Sequence, residues 1–115
     1  MKSSAADALV MPRNLAIRIL HAAQLAQPDA IRGVVGARAG EPVSFHAGRD
    51  RVADGEVLWA ELWSHPQAPA VPSANELREN HLSLVVSLNI KGVLEMRAWT
   101  LAAGAPHEHV LTIRD

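Results

Sequence analysis

Proline placement constrains this chain more than any other feature. Of its seven prolines, Pro12 and Pro28 bracket a stretch of helical periodicity, while Pro66, Pro69 and Pro72 crowd the segment from Ser64 to Asn75. A helix accepts proline in its first turn and not in its interior, where the ring removes an N–H donor and collides with an earlier carbonyl. The spacing therefore predicts a helix that opens at about Pro12 and stops at Pro28, and an extended, stiffened loop over Ser64–Asn75. Within LAIRILHAAQLAQ, residues Ala16, Ile19, Leu20, Ala23 and Ala26 recur at threes and fours and form one apolar face.

The remaining segments read as strands and turns. Ile31 to Ala37 is a short buried strand in which Gly33 and Gly36 allow another backbone close. Gly40 and Pro42 turn the chain, Val43 to His46 alternates as a half-exposed strand, and AGRDRVADG is a polar connection. In the strand Val57–Trp63, alternation puts Val57, Trp59, Glu61 and Trp63 on one side and Leu58, Ala60 and Leu62 on the other. Ser73 followed three residues later by Glu76 is a capping box, which predicts a short helix through about Glu79. His81–Leu88, Val93–Leu101 and Val110–Ile113 complete the strands. This order predicts a mixed α/β domain over residues 11–115, with residues 1–10 a flexible lead-in.

Composition narrows the function classes. A chain of 115 residues is one domain, and 49% hydrophobic with 20% charged residues makes it globular. A net charge of −1 leaves no basic footprint for nucleic acid. The absence of cysteine excludes disulfides, thiolate zinc sites and a cysteine nucleophile, so any metal must use His, Asp or Glu. No run has the length of a membrane span or the shape of a signal peptide, so the expectation is a cytoplasmic protein without membrane contact.

The chemistry concentrates in Trp63-Ser64-His65-Pro66 and Pro72-Ser73-Ala74-Asn75-Glu76. A histidine leaving a strand into a proline-stiffened loop, with a serine and a carboxylate beyond it, can hold a metal rigidly. The same residues also serve as a helix cap and a backbone-bonded histidine, which needs no metal. His21 has no ligand partner one helical turn away and reads as a surface residue. His107 and His109 project to one side of an extended segment, able to chelate or simply solvated. Trp59, Trp63 and Trp99 read as core or rim packing, or as anchors of a partner surface.

The stretch resembles the motif of the JAB/MPN (JAMM, Mov34/PAD-1-like) zinc metalloproteases, in which His-Ser-His-Pro is followed at fixed spacing by Ser-x-x-Asp. His65, seven intervening residues, Ser73, two more and Glu76 match it. The resemblance extends from Met11 onward: MPRNLAIRILHAAQLAQPDAIRGVVG is similar to the family's opening helix and glycine-rich strand, and LSLVVSL and GVLEMRAWTL to its late strands.

The resemblance implies a single JAB/MPN-like, cytidine-deaminase-like domain with a curved mixed sheet and flanking helices. It also implies zinc-dependent isopeptide or peptide hydrolysis beside ubiquitin-like or sulfur-carrier proteins. Carried over by residue, His65 and Glu76 match zinc ligands and Ser73 the oxyanion-supporting serine. Two positions depart: Trp63 stands at the first zinc-binding histidine, where an indole has no lone pair for a metal, and Ala30 stands at the catalytic glutamate. The family's central helix is also missing between Gly36 and Val57. These departures predict a degenerate member, a pseudo-metalloprotease with zinc weak or absent, acting by binding a protein partner or forming a homodimer. The alternative is an active zinc peptidase in which Glu61 replaces the lost ligand.

Overall fold

A computed structural model describes residues 8–79, 81–89 and 94–115. In chain order it contains β1 (Ala8–Pro12), α1 (Arg13–Ala26), β2 (Arg32–Arg38), β3 (Glu41–Ala47), β4 (Val57–His65), a single 3-10 turn (Ala74–Glu76), β5 (Ser83–Ser87), β6 (Glu95–Ala102) and β7 (Ala105–Arg114). The strands form one mixed sheet in the order β1-β7-β6-β5-β4-β2-β3. The pairs β1/β7 and β4/β5 are parallel and the others antiparallel. The sheet curves until its two edge strands, β1 and β3, approach each other with α1 against both.

Helix α1 is bracketed as the prolines predict, with Pro12 at its N-cap and the chain extended again at Gln27. Its buried face is Leu15, Ala16, Ile19 and Ala23, packed with Met11, Val35, Ala60, Leu62, Leu84, Val86 and Ala98 from the sheet. Strand β5 is buried on both faces, as a strand inside a doubly covered sheet should be. Leu84 and Val86 join the core under α1. Val85 faces the other way, into a smaller cluster with Ala70, Trp99 and Leu77.

Four expectations are corrected. Residues 8–10, read as lead-in, belong to β1, which pairs with β7 over Ala8–Pro12 and Val110–Arg114; the rest of the expected lead-in lies outside the described residues. The helix expected over Ser73–Glu79 is one 3-10 turn, because Leu77 is already extended and the Glu76 carbonyl is taken by the Ser83 hydroxyl at 2.7 Å. Only one α-helix flanks the sheet among the described residues. The expected common face of Val57, Trp59, Glu61 and Trp63 is broken at Trp59. The β2/β4 register slips between Val35 and Gly36, leaving Trp59 as the extra residue, and its ring packs against the core with Ala60. Such a bulge interrupts the two-residue period.

The close backbone approach read at the β2 glycines holds at Gly33, where a Cβ would strike the His46 carbonyl; at Gly36 it is a side chain, the Glu56 carboxylate, that fills the space. Two-residue turns with both residues at positive φ join β2 to β3 (Ala39, Gly40) and β6 to β7 (Ala103, Gly104). That conformation matches the twist of a hairpin.

Candidate functional site

The carboxyl end of β4 delivers His65 to the head of the proline-rich loop. The ending is fixed on both sides: Ser64 Oγ accepts the Ile31 N–H at 2.7 Å, and the Leu88 N–H donates to the His65 carbonyl at 3.1 Å. The loop then crosses the sheet face opposite α1, held by side chains. Ser87 Oγ donates to the Ala68 carbonyl at 2.6 Å, Trp99 Nε1 to the Ala70 carbonyl at 3.0 Å, and Ser83 Oγ to the Glu76 carbonyl at 2.7 Å. Ala70 is fully buried under this clamp. Three prolines and these bonds make a loop whose shape is set before anything binds.

His65 is held at both ring nitrogens. Nδ1 lies 2.8 Å from the Pro69 carbonyl, and Nε2 lies 2.9 and 3.0 Å from the two oxygens of Glu76. Both side chains are only 14% exposed. Glu76 also accepts the Ser73 N–H at 3.0 Å, which closes the capping box, while Ser73 Oγ donates to Asn75. Ala30, His65, Ser73 and Glu76 line one open groove, with Pro66, Pro69, Val71 and Pro72 along its walls. The fold thus brings together four of the residues singled out in the sequence.

It does not bring Glu61 to them. Glu61 lies four residues, about 13 Å, back along β4 from His65, with Oε2 3.4 Å from Arg78 Nη1. Trp63 stands between, its ring beneath the Arg32 guanidinium at 4.9 Å and its Nε1 buried without a partner among the described residues. The three tryptophans form no common surface: Trp59 is on the core side, Trp63 lies under Arg32, and Trp99 is buried as the clamp on Ala70. His21 is exposed on α1. A catalytic zinc takes three protein ligands and an open water position. His65 and Glu76 supply two, already bound to each other, Trp63 has no lone pair to give, and among the described residues no group of three His, Asp or Glu side chains is assembled. Of His, Asp and Glu, the groove lining carries His65 and Glu76.

Sequence reasoning missed two features. Ser83 and Ser87 are fully or almost fully buried; polar residues at both ends of a run too apolar to face water need partners, a signal that calls for acceptors without naming them. The other is a polar knot at the mouth of the β3–β4 connection. Glu56 Oε1 accepts Ser44 Oγ at 2.8 Å and the Ala53 N–H at 3.1 Å, with His46 Nε2 at 3.1 Å, in the space that Gly36 leaves open. The Ser44 and His46 hydrogen bonds hold the Glu56 carboxyl below the usual carboxylate range. Ser44 is not an activated nucleophile here, because its proton goes to the carboxylate and the same His46 nitrogen faces both groups.

No protein-family model matches the chain, and no curated protein matches it. Solved structures do. A protein from Desulfitobacterium hafniense matches with TM-score 0.76 at 15% identity, covering 93% of each chain. A JAB1/MPN domain protein from Archaeoglobus fulgidus matches with TM-score 0.67 at 16% identity, covering 93% of this chain and 99% of that one. A structure described as a metalloprotease-like zinc site in the proteasome and signalosome (JAMM) matches with TM-score 0.66 at 16% identity, covering 93% and 98%. The chain has the JAB/MPN fold.

Proposed function

We propose that this JAB/MPN-fold chain is a binding module and not a metallopeptidase. Its groove takes an extended protein segment, the tail of a ubiquitin-like or sulfur-carrier protein, without cutting it. The observation that carries this reading is the closed His65–Glu76 pair, at 2.9 and 3.0 Å, facing Ala30 in the groove where the resemblance puts a catalytic glutamate. A general base is worth about 10²–10⁴ in rate, and Ala30 has no proton acceptor to offer. The groove itself suits binding. Its walls are prolines and aliphatic carbons, its floor carries one polar pair, and its loop is pinned at Ala68, Ala70 and Glu76, so little ordering is needed when a segment docks.

The test uses tag-free protein and two readouts. Amide shifts are followed by NMR on adding a ubiquitin-like protein with a free tail, and a tail-linked fusion of it is assayed for cleavage with and without zinc. Shifts confined to Ala30, His65–Ser73 and Glu76, with the fusion left intact, are expected. One zinc per chain that is lost in His65→Ala, together with cleavage stopped by a chelator, overturns the reading and restores the peptidase alternative. Self-association by light scattering, with shifts that depend only on the chain's own concentration, makes the occupant a second copy and overturns the choice of partner.

A further inference from the structure

On the sheet face opposite the groove, β7 carries His107 and His109 two residues apart, beside Thr100 of β6. Neighbouring Ala98 and Leu111 turn to the core under α1 on the same face, so the two imidazoles project beyond the rim of that core. His107 is exposed and His109 half-buried.

His109 presents a problem of satisfaction. Its Nε2 is committed to Thr100 Oγ1 at 2.7 Å, while its Nδ1 is shut off from solvent without a hydrogen-bond partner among the described residues. An orphaned buried nitrogen leaves a place for a group that is not protein, such as water or an ion. In the tautomer whose Nε2–H donates to the Thr100 hydroxyl, the Nδ1 lone pair of His109 is left to ligate, the arrangement of metal-ligating histidines. The second ring is already at hand. The His107 and His109 ring centres are 4.8 Å apart at an interplanar angle of 84°. Two imidazoles on one tetrahedral ion, each nitrogen about 2.0–2.1 Å from it, hold their ring centres about 5 Å apart. Glu108 points to the opposite face, where it pairs with Arg97 at 2.5 and 2.7 Å, so the donor set is two imidazoles.

We propose that His107 and His109 form a surface site for a first-row divalent transition metal, with Thr100 as the positioning residue that leaves His109 Nδ1 free to ligate. Two imidazoles make a borderline-soft donor set. It follows the general affinity order, copper(II) above nickel(II) and zinc(II), and excludes magnesium and calcium, which take oxygen ligands. The site is independent of the groove and of the function proposed for it.

Tag-free full chain is titrated with copper(II) and nickel(II) by calorimetry, and the copper-loaded protein is examined by electron paramagnetic resonance. One ion per chain is expected, with nitrogen hyperfine structure from two imidazoles. Affinity falls at least tenfold in His107→Ala, whose side chain is exposed and whose loss leaves the fold intact by circular dichroism. It falls about tenfold or more in Thr100→Val through loss of the hydroxyl that orients the His109 ring, and is unchanged in His65→Ala. Affinity that survives His107→Ala, or that falls in His65→Ala instead, overturns the proposal.

Discussion

His65 and Glu76 lock each other: Nε2 of the ring faces both carboxylate oxygens, at 2.9 and 3.0 Å, while Nδ1 rests on the Pro69 carbonyl. The pair joins the end of β4 to the far end of the proline-rich loop, and neither partner is free to bind something else without breaking it. His65→Ala leaves a largely buried carboxylate without its hydrogen-bond partner, so a loss of about 1.5–3 kcal/mol is expected. Urea denaturation checks it, and Glu76→Gln should cost less, because the amide keeps an acceptor for the Ser73 N–H.

Restoring the motif is a direct test of lineage. A histidine at Trp63 projects from the same face as His65, and a glutamate at Ala30 enters the groove that His65 and Glu76 line. The triple variant Trp63→His, Ala30→Glu, Glu76→Asp is expected to take up one zinc per chain by elemental mass spectrometry. Loss of Trp63 also removes the ring under Arg32, so a lower melting temperature should accompany the gain.

The Trp99–Ala70 bond is the keystone of the loop. Trp99→Phe keeps most of the apolar area and deletes the donor, stranding a buried carbonyl at a cost of about 1–3 kcal/mol. Faster hydrogen exchange confined to residues 66–77, with α1 unchanged, is the expected signature.

Glu56 gives a pH dependence of known sign. Its folded carboxyl is held below the ordinary value by Ser44 first and His46 second. Its contribution to stability is therefore present above the unfolded value of about 4.3 and is lost as the pH falls through the lower, folded value. Denaturation midpoints of the parent and Glu56→Gln should differ at pH 7 and converge only once the pH has fallen below the lowered, folded value.

Ala39 and Ala103 each sit at positive φ, 52° and 53°, where a Cβ crowds the backbone at about 1–2 kcal/mol. Ala103→Gly is expected to stabilise by about 0.5–1 kcal/mol, less than the full strain because glycine also loosens the unfolded chain. Thermal unfolding checks the direction.

The reach of the sequence can be traced through particular residues. Pro12 and Pro28 fixed α1 because proline acts locally, and Leu15 entered its buried face only when the sheet supplied a neighbour. The strands from Ile31 to Leu101 were visible as apolar runs or alternation and β7 only from Val110 onward, but the displacement of Trp59 was not, since a bulge depends on the register of the partner strand. His65, Ser73, Glu76 and Ala30 could be grouped from spacing because the loop between them is stiff. The grip of Ser83, Ser87 and Trp99 on that loop arises between segments far apart in the chain, and the direct His65–Glu76 bond is a distance no spacing contains.

Strand β1 lies parallel to β7, and Arg13 of the following helix reaches the Asp115 carboxylate. The pairing with the greatest sequence separation in the sheet therefore joins its first strand to its last. Closing that loop costs chain entropy that no earlier contact refunds. During synthesis β1 has to wait, unpaired, until β7 has emerged from the ribosome, and the floor of apolar side chains beneath α1 stays open at one side until then. Ribosome-bound chains stopped before Val110 should therefore be open to proteases at Ala8–Pro12, and release of the last strand should protect both ends in one step.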